Sequence, residues 1–238
     1  MGLENKVAIV TGASKGIGKA IAEALAKRAV DVVLVARNGE ELKRVAADIE
    51  SLGREAVPVV ADVTVEEDVH RVVENTLTHF GKIDILVNNA GIGFFKSVKE
   101  TSLEEWKRLI DTNLTGTFLF SKAVIGPMAE RGQGYIVNIS SDIGKWTIPN
   151  AAAYCASKYG IQGFSGALAK EVRKLGIRVG VINPGATDTY FNHSKPGVPE
   201  KENWLKPEDV ADAVVYMVSA PRHAVVDEIM IHPIVQQY

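Results

Sequence analysis

The sequence predicts a single α/β domain in which helices cover both faces of a doubly wound parallel sheet. Three observations predict it. Short apolar segments rich in Val and Ile alternate with amphipathic helical patterns along the chain. Most of these segments are apolar on both faces, as in a parallel sheet buried by helices. No linker, repeat or low-complexity stretch divides the 238 residues, so we expect one domain over 1–238.

The two kinds of element follow one another in order. Strands are predicted at residues 7–10, 31–36, 56–60, 83–87, 134–139, 178–182 and 227–231. Helices are predicted from a glycine-rich turn through residue 28, at 41–52, at 66–80, from 103 to 128, from 154 to 175 and at 207–219. The segment 190–205, which contains Pro196, Gly197 and Pro199, is predicted to be a mobile loop.

The composition limits the class of protein. The hydrophobic fraction of 46% is ample for a core, and 27 basic against 29 acidic residues give a formal net charge of -2. Bulk charge therefore indicates neither a nucleic acid nor a membrane surface as partner. The sequence has no signal-peptide core and no apolar run that could span a bilayer. We expect a cytoplasmic protein, with its single Cys155 buried and no metal site.

A glycine-rich turn follows the first predicted strand. It reads Thr11-Gly12-Ala13-Ser14-Lys15-Gly16-Ile17-Gly18 and leads into a helical pattern. Strand, glycine turn and helix form the Rossmann-like unit that binds a pyrophosphate: glycines let the backbone approach, and the helix N-terminus attracts the negative charge. The spacing G-x-x-x-G-x-G differs from the common fingerprint, and glycines that serve only a tight turn remain an alternative.

The ends of the next two strands indicate which dinucleotide would bind. The second strand ends in Ala36 and is followed by Arg37, where an arginine accommodates a 2′-phosphate and an acidic residue would receive a ribose hydroxyl. Lys15 could add a second positive charge. Asp62 and Val63, just past the third strand, would lie beside the adenine. These residues predict NADP(H) rather than NAD(H), although a strand-end arginine is often only a solvated charge.

Tyr154 and Lys158 lie four residues apart in a predicted helix and should therefore point into the same space. At about 4 Å and an effective dielectric near 20, an ammonium attracts a phenolate by about 4 kcal/mol, which could bring the pKa of a tyrosine towards 7. Ser141, at the end of the fifth strand, could hold a substrate oxygen against that phenol. An ordinary surface tyrosine and lysine is the alternative, because so short a pattern recurs by chance.

Six motifs in order make the sequence closely resemble the short-chain dehydrogenase/reductase family over nearly the whole chain. They are Thr11 to Gly18, Asn88 to Gly91, Asn113, Ser141, Tyr154 with Lys158, and Pro184-Gly185 with Thr189. The resemblance implies an NADP(H)-dependent oxidoreductase that interconverts a small-molecule carbonyl and its alcohol. Tyr154 would be the general acid or base, Lys158 would bind the nicotinamide ribose and lower the Tyr154 pKa, Ser141 would orient the carbonyl, and Asn113 would hold a relay water.

The resemblance also implies a cofactor site. Its residues would be Gly12, Ser14, Lys15, Gly16, Ile17 and Gly18 around the pyrophosphate and adenosine ribose, Arg37 at the 2′-phosphate, Asp62 and Val63 at the adenine, Asn89 at the middle, Tyr154 and Lys158 at the nicotinamide ribose, and Pro184, Gly185, Thr187 and Thr189 at the nicotinamide. The hydride is the cofactor's chemistry, and the protein positions it.

Within the family, the sequence is most similar to 3-oxoacyl-acyl-carrier-protein reductases and related carbonyl reductases. Two departures leave alternatives open. Leu175 replaces the basic residue that docks the acyl carrier protein, and the tail 227–238 is not the usual glycine-rich strand. The tail is more similar to reductases of small hydroxy acids or diverse carbonyls. A dinucleotide-binding sensor or scaffold without turnover is the alternative of another class.

Apolar residues near the catalytic end of the sheet are expected to line the substrate pocket. They are the loop 190–205 with Phe94, Phe95, Trp146 and Ile148. An apolar or medium-sized carbonyl is therefore expected. Gly160, Gly163 and Gly166 lie at three-residue spacing in one helix, where they could admit a second subunit in a homodimer or homotetramer, or equally pack on the chain's own sheet.

Overall fold

The computed structural model describes residues 2–236, and the predicted α/β architecture is confirmed there. Seven parallel strands form one sheet within these residues, in the order β3-β2-β1-β4-β5-β6-β7. The strands are β1 Val7–Thr11, β2 Asp31–Ala36, β3 Ala56–Val60, β4 Ile85–Asn88, β5 Gly134–Ile139, β6 Ile177–Pro184 and β7 Glu228–Ile231. The helices are α1 Gly16–Ala26, α2 Gly39–Glu50, α3 Glu66–Phe80, α4 Leu103–Ile110, α5 Gly116–Glu130, α6 Ala152–Val172 and α7 Pro207–Val218.

The strand order indicates the edge of the sheet at which a ligand is expected to bind. The chain winds outward from β1 to β3 and then returns to β4 on the other side of β1, so the winding direction switches between β1 and β4. In such sheets, ligands bind beyond the carboxyl ends of the strands at this switch point. Two large apolar clusters, one on each face, bury the sheet under helices. Among residues 2–236, no helix is both long and apolar enough to cross a membrane.

The helix predicted over 103–128 is divided in the structure. A π-helical turn, Asp111–Thr115, separates α4 from α5, which continues to Glu130. Asn113 lies at the centre of this turn, where its side chain bonds to the backbone of Ile92 instead of facing solvent. A π turn accommodates one extra residue per turn and often marks a functional position. The other predicted boundaries agree with the structure to within about three residues.

The three glycines of α6 have different surroundings. A Cβ at Gly160 would come within 2.7 Å of Leu114 in the π turn, so this glycine admits a neighbouring segment of the same chain. Gly163 and Gly166 have no atom within 4 Å of an added Cβ. Packing within the chain therefore explains the first glycine only, and the subunit contact at the other two stays a prediction.

The segment after β6 is tied together by a buried ion cluster. It contains two short 3₁₀ turns, at Phe191–His193 and Pro199–Lys201, within the region predicted as a loop. The Lys201 ammonium donates to Thr189 O at 2.7 Å and lies 3.7 Å from the Asp188 carboxylate. Asp188 also accepts from Gly197 N. These contacts hold the segment against the end of β6.

Candidate active site

Three predicted side chains converge at the end of β5 and the start of α6. Tyr154 and Lys158 are both buried on one face of α6, and the Lys158 ammonium lies 5.5 Å from the centroid of the Tyr154 ring. Ser141, just beyond β5, is also buried and hydrogen-bonds to the Tyr154 phenol. The helical spacing and the strand-end position therefore bring a hydroxyl, a phenol and an ammonium together.

Lys158 is held by the strand that carries the serine. Its ammonium donates to Ile139 O at 2.9 Å, and its own carbonyl accepts from the Ser140 hydroxyl at 3.1 Å. Burial lowers the pKa of Lys158 to about 8, because an ammonium is poorly solvated inside the protein. The side chain thus remains largely charged at neutral pH and loses its charge within the mildly alkaline range.

The structure shifts the pKa of the Tyr154 phenol in the direction opposite to the one expected from the sequence. Burial raises the pKa of Tyr154, the hydrogen bond with Ser141 lowers it, and the negative charge of Asp142 raises it again. The expectation that Lys158 brings this pKa towards 7 is therefore wrong for the protein by itself. It counted the attraction of the ammonium and omitted the cost of burying a phenolate. Tyr154 is protonated at neutral pH.

Asn113 links the π turn to α6. Its Oδ1 accepts from Ile92 N at 2.8 Å, while its Nδ2 donates to Ile92 O at 2.9 Å and to Ser157 Oγ at 3.1 Å. Ser157 in turn donates to Tyr154 O at 2.8 Å. Both amide hydrogens of Asn113 are thus used within the protein. A water at this position would have to be held by an oxygen of Asn113.

The glycine-rich turn is packed against the end of β4. Asn89 Nδ2 donates to Thr11 O at 2.9 Å, and the Thr11 hydroxyl oxygen accepts from Asn89 N and Ala90 N at 3.0 Å each. Gly12 has a φ of +67°, and a Cβ there would come within 2.9 Å of Ala90 Cα; a Cβ at Gly18 would overlap Gly12 O. The packing of the turn itself therefore requires both glycines.

The N-terminus of α1 fits a phosphate group. No side chain caps it: Lys15 occupies the N-cap position without a side-chain hydrogen bond. Gly16 has a φ of +56° and faces Thr189, whose Cγ2 would lie 3.7 Å from an added Cβ. Uncapped backbone N–H groups at a helix start form an anion site. Ser14 and Ile17, both partly buried, flank this start.

Arg37 and Asp62 meet at the ends of β2 and β3. Their closest atoms, Nη1 and Oδ2, are 4.0 Å apart, and the Arg37 side chain is 75% exposed. Asp62 Oδ1 accepts from the Thr64 backbone and hydroxyl, so its orientation is fixed. Val63 is buried against Gly116. Lys15 points elsewhere, with its ammonium 5.0 Å from the Tyr190 ring centroid.

The residues after β6 reach the serine. Pro184 O lies 3.4 Å from Ser141 Oγ, and the Thr187 hydroxyl donates to Gly185 O at 2.9 Å. The Thr189 hydroxyl lies 3.4 Å from Thr187 O. This turn therefore borders Ser141 and the N-terminus of α1 at the same time.

Aromatic side chains cover the phenol. The Phe191 and Phe95 rings lie 5.2 Å and 6.4 Å from the Tyr154 ring, centroid to centroid, and an added Cβ on Gly93 would overlap Phe191. The expected lining residues Phe94 and Trp146 belong to the same apolar cluster, whereas Ile148 is exposed. Phe191 lies within the predicted loop but is not singled out by the sequence.

Two further polar residues that the sequence reasoning missed reach the site. Asp142 is buried and accepts from the Ser141 hydroxyl at 2.8 Å. Gln236, in the tail, donates to the other oxygen of that carboxylate. The position of Asp142 directly after Ser141 was a usable signal, but no local pattern connects it with a residue so far along the chain.

The fold and this combination of serine, tyrosine and lysine define the class of protein as an α/β oxidoreductase. The chain belongs to the short chain dehydrogenase family, whose model matches residues 6–197. An uncharacterised oxidoreductase of Staphylococcus saprophyticus is 39% identical over 233 residues, which cover 98% of this chain and 99% of that protein.

Solved structures give the same assignment. An alcohol dehydrogenase from the archaeon Thermococcus sibiricus, complexed with 5-hydroxy-NADP, has a TM-score of 0.93 and 35% identity, with 98% of each chain covered. A 3-ketoacyl-(acyl-carrier-protein) reductase from Brucella melitensis, complexed with NADH, has a TM-score of 0.89 and 33% identity, with 97% of this chain and 98% of that chain covered. The predicted family and fold are confirmed.

Proposed function

We propose that this chain is an NADP(H)-dependent enzyme that reduces an apolar carbonyl compound to a secondary alcohol, with Tyr154 as the proton donor. The observation that carries the proposal is the convergence of Tyr154, Ser141 and Lys158 under an aromatic cover. In this scheme Ser141 and Tyr154 hold the carbonyl oxygen. Because burial keeps the phenol protonated at neutral pH, Tyr154 is ready to give its proton as negative charge develops on that oxygen.

The cofactor supplies the hydride, and the chain supplies its binding site. The uncapped N-terminus of α1 would hold the pyrophosphate, Asp62 and Val63 would border the adenine, and the turn from Pro184 to Thr189 would border the nicotinamide. Arg37 supports NADP(H), because its largely exposed guanidinium is available to a 2′-phosphate. The archaeal alcohol dehydrogenase, which is bound to an NADP derivative, agrees with this preference.

Lys158 would stabilise the phenolate that proton donation leaves behind. Its ammonium is close to the ring and carries a charge at neutral pH. An oxygen of Asn113 would hold the water that returns a proton to this pair.

The narrower substrate choice favours a free apolar carbonyl over a carrier-bound one. Phe95 and Phe191 offer apolar rings and no positive charge to a small hydroxy acid. Leu175 stands where an acyl-carrier reductase has a basic residue, and neighbouring Arg173 lies 3.9 Å from Asp227. Reduction of a 3-oxoacyl thioester therefore remains the second candidate, supported by the likeness to the Brucella enzyme.

We also infer a homo-oligomer. The exposed side chains of Phe118 and Tyr159 lie on α5 and α6, and the open glycine face of α6 leaves room for another backbone. Light scattering behind size exclusion would test this inference: a dimer or tetramer is expected, and a monomer at micromolar concentration would contradict it.

NADPH oxidation with a panel of carbonyls tests the function. The panel contains diketones, aldehydes, aromatic ketones, a 3-oxoacyl thioester and a short 2-oxo acid, with NADH in parallel. We expect NADPH-dependent reduction, fastest with an apolar ketone. Faster turnover of the thioester would select the 3-oxoacyl-acyl-carrier-protein reductase function. Preference for the 2-oxo acid would overturn the proposal that the substrate is apolar. Binding of NADPH without turnover of any member, in either direction, would favour the sensor.

A further inference from the structure

Gln236, in the tail after β7, reaches the catalytic serine through a carboxylate. Its Oε1 accepts from Ala186 N at 2.9 Å, and its Nε2 donates to Asp142 Oδ2. The other carboxylate oxygen, Oδ1, accepts from the Ser141 hydroxyl at 2.8 Å and from Ile143 N at 2.7 Å. Since the Ala186 N–H can only donate, the Gln236 amide has one orientation that satisfies both of its partners. The tail and the serine are thereby connected.

The backbone after β6 leaves room for this connection. Gly185 N donates to Ile231 O at 2.8 Å, which holds the end of β7 beside it. A Cβ on Gly185 would overlap Gln236 Oε1 and would lie 2.7 Å from His232 Cβ. The contact of the tail thus gives Gly185 a role within the protein, since any larger residue would push the Gln236 amide away.

The Ser141 hydroxyl has only one hydrogen to donate. Its oxygen lies 2.8 Å from Asp142 Oδ1 and 3.4 Å from Pro184 O, so the carboxylate is much the better acceptor. The same oxygen is in hydrogen-bond contact with the Tyr154 phenol, and this contact lowers the pKa of Tyr154, because the serine hydrogen can turn from Asp142 to stabilise a phenolate. Asp142 therefore holds the Ser141 oxygen in place, while the hydroxyl hydrogen can turn from the carboxylate towards the reacting group.

We propose that Gln236 and Asp142 are positioning residues for the reaction, because their bridge fixes the Ser141 oxygen beside Tyr154, from where the hydroxyl hydrogen can turn from Asp142 to the substrate oxygen. Gln236 keeps the carboxylate from turning, and the carboxylate keeps the serine in one rotamer. The inference rests on the proposed function, in which Ser141 and Tyr154 hold the substrate oxygen.

The first test is Gln236→Leu, which keeps the size of the side chain and removes both hydrogen bonds. We expect kcat to fall by about ten- to a hundredfold, as for a misplaced catalytic group, with KM and NADPH affinity nearly unchanged. Ile234→Ala is the matched control, because this neighbour in the tail is 99% exposed. Equal activity of the two variants would overturn the inference.

The second test exchanges the two groups of the bridge. Asp142→Asn places an amide against the Gln236 amide, and Gln236→Glu places a carboxylate against Asp142, so each single change should lower both kcat and Tm. The double variant Asp142→Asn/Gln236→Glu lets the new amide donate to the new carboxylate, which can still accept from Ala186 N. We expect it to recover most of the kcat and Tm that the single changes lose.

The pH profile gives a readout that a purely structural bridge would not change. Because the charge of Asp142 raises the pKa of Tyr154, the alkaline limb of the reduction rate should move to lower pH in Asp142→Asn. In the double variant the negative charge lies at position 236, further from Tyr154 than at position 142. Its alkaline limb should therefore lie between those of the wild type and Asp142→Asn. A double variant with no recovery, or unchanged limbs, would overturn the inference.

Tyr154→Phe in the same assay separates the two proposals. If Tyr154→Phe is inactive while Gln236→Leu matches Ile234→Ala, only the positioning role fails. If Tyr154→Phe keeps its turnover, the proposed function fails. Recovery of Tm in the double variant would then show that the Asp142–Gln236 hydrogen bond forms, without a role in the reaction.

Discussion

The proposed cofactor side and the proposed substrate side of this site are built in different ways. Around Gly12 and Gly18, backbone touches backbone, and the supporting residues come from β1, α1 and the end of β4. Around Tyr154, side chains meet from distant parts of the chain, including Phe191 and Gln236. Backbone contacts leave no room for added atoms, whereas side chains can turn or be exchanged. Changes on the first side should therefore affect folding and binding, and changes on the second should affect rate and selectivity.

The largest effect is expected from Gly18→Ala on the cofactor side. The added methyl group would overlap Gly12 O, and neither backbone segment can yield without moving the turn. We expect a loss of stability of several kcal/mol, of order 3, together with loss of measurable NADPH binding. Thermal unfolding and fluorescence titration with NADPH check this. A variant with the Tm and affinity of the wild type would show that the turn is not rigid.

Lys158→Met tests the substrate side by separating stability from activity. Burial lowers the pKa of Lys158 from 10.5 to about 8, so between these values the unfolded chain binds more protons than the folded one. Wild-type stability should therefore rise with pH across that range, and the burial penalty of the charge is fully present below about pH 8.

The methionine variant avoids that penalty but leaves Ile139 O without its donor. We expect it to be inactive, more stable at pH 7 by about 1–2 kcal/mol, and flatter in its dependence on pH between about 8 and 10. Urea unfolding at several pH values measures this. Parallel curves for the two proteins, with the variant less stable, would contradict the buried-ammonium account.

Arg37→Ala changes a side chain on the cofactor side that contributes little to the stability of the fold. Arg37 is largely exposed, and its ion pair with Asp62 is long, at 4.0 Å. Its removal should therefore leave Tm nearly unchanged. The preference for NADPH over NADH, as a ratio of kcat/KM, should fall by about ten- to a hundredfold, the worth of a charge-assisted hydrogen bond. An unchanged ratio would mean that another group recognises the 2′-phosphate.

The smallest effect is expected from Gly163→Ala. It makes the same substitution as Gly18→Ala, but at a glycine with no neighbouring atoms around the added methyl group. Nothing lies within 4 Å of the added methyl group in the chain itself, so the substitution should stabilise α6 by about 0.5–1 kcal/mol. A loss of stability accompanied by dissociation of an oligomer would instead locate a subunit contact on this face.

The sequence predicts the cofactor side better than the substrate side. Gly12, Gly18 and Asn89 act through local turns or neighbouring strand ends, and the strand order follows from parallel βα units. The pairing of Tyr154 with Lys158 follows from helical spacing. Helical spacing does not give the burial that raises the pKa of Tyr154, because that depends on Phe191 and other residues brought in by the fold. The Asp142–Gln236 contact joins positions 94 apart in sequence and has no local signature.

The most direct measurement is single-turnover NADPH oxidation by the wild type and by Tyr154→Phe, each preloaded with NADPH and mixed with the best carbonyl of the panel. The account predicts that both proteins bind NADPH and that the rate falls by about 10²- to 10⁴-fold when the phenol is removed. A Tyr154→Phe variant that oxidises NADPH at the wild-type rate would contradict the role of Tyr154 as the proton donor.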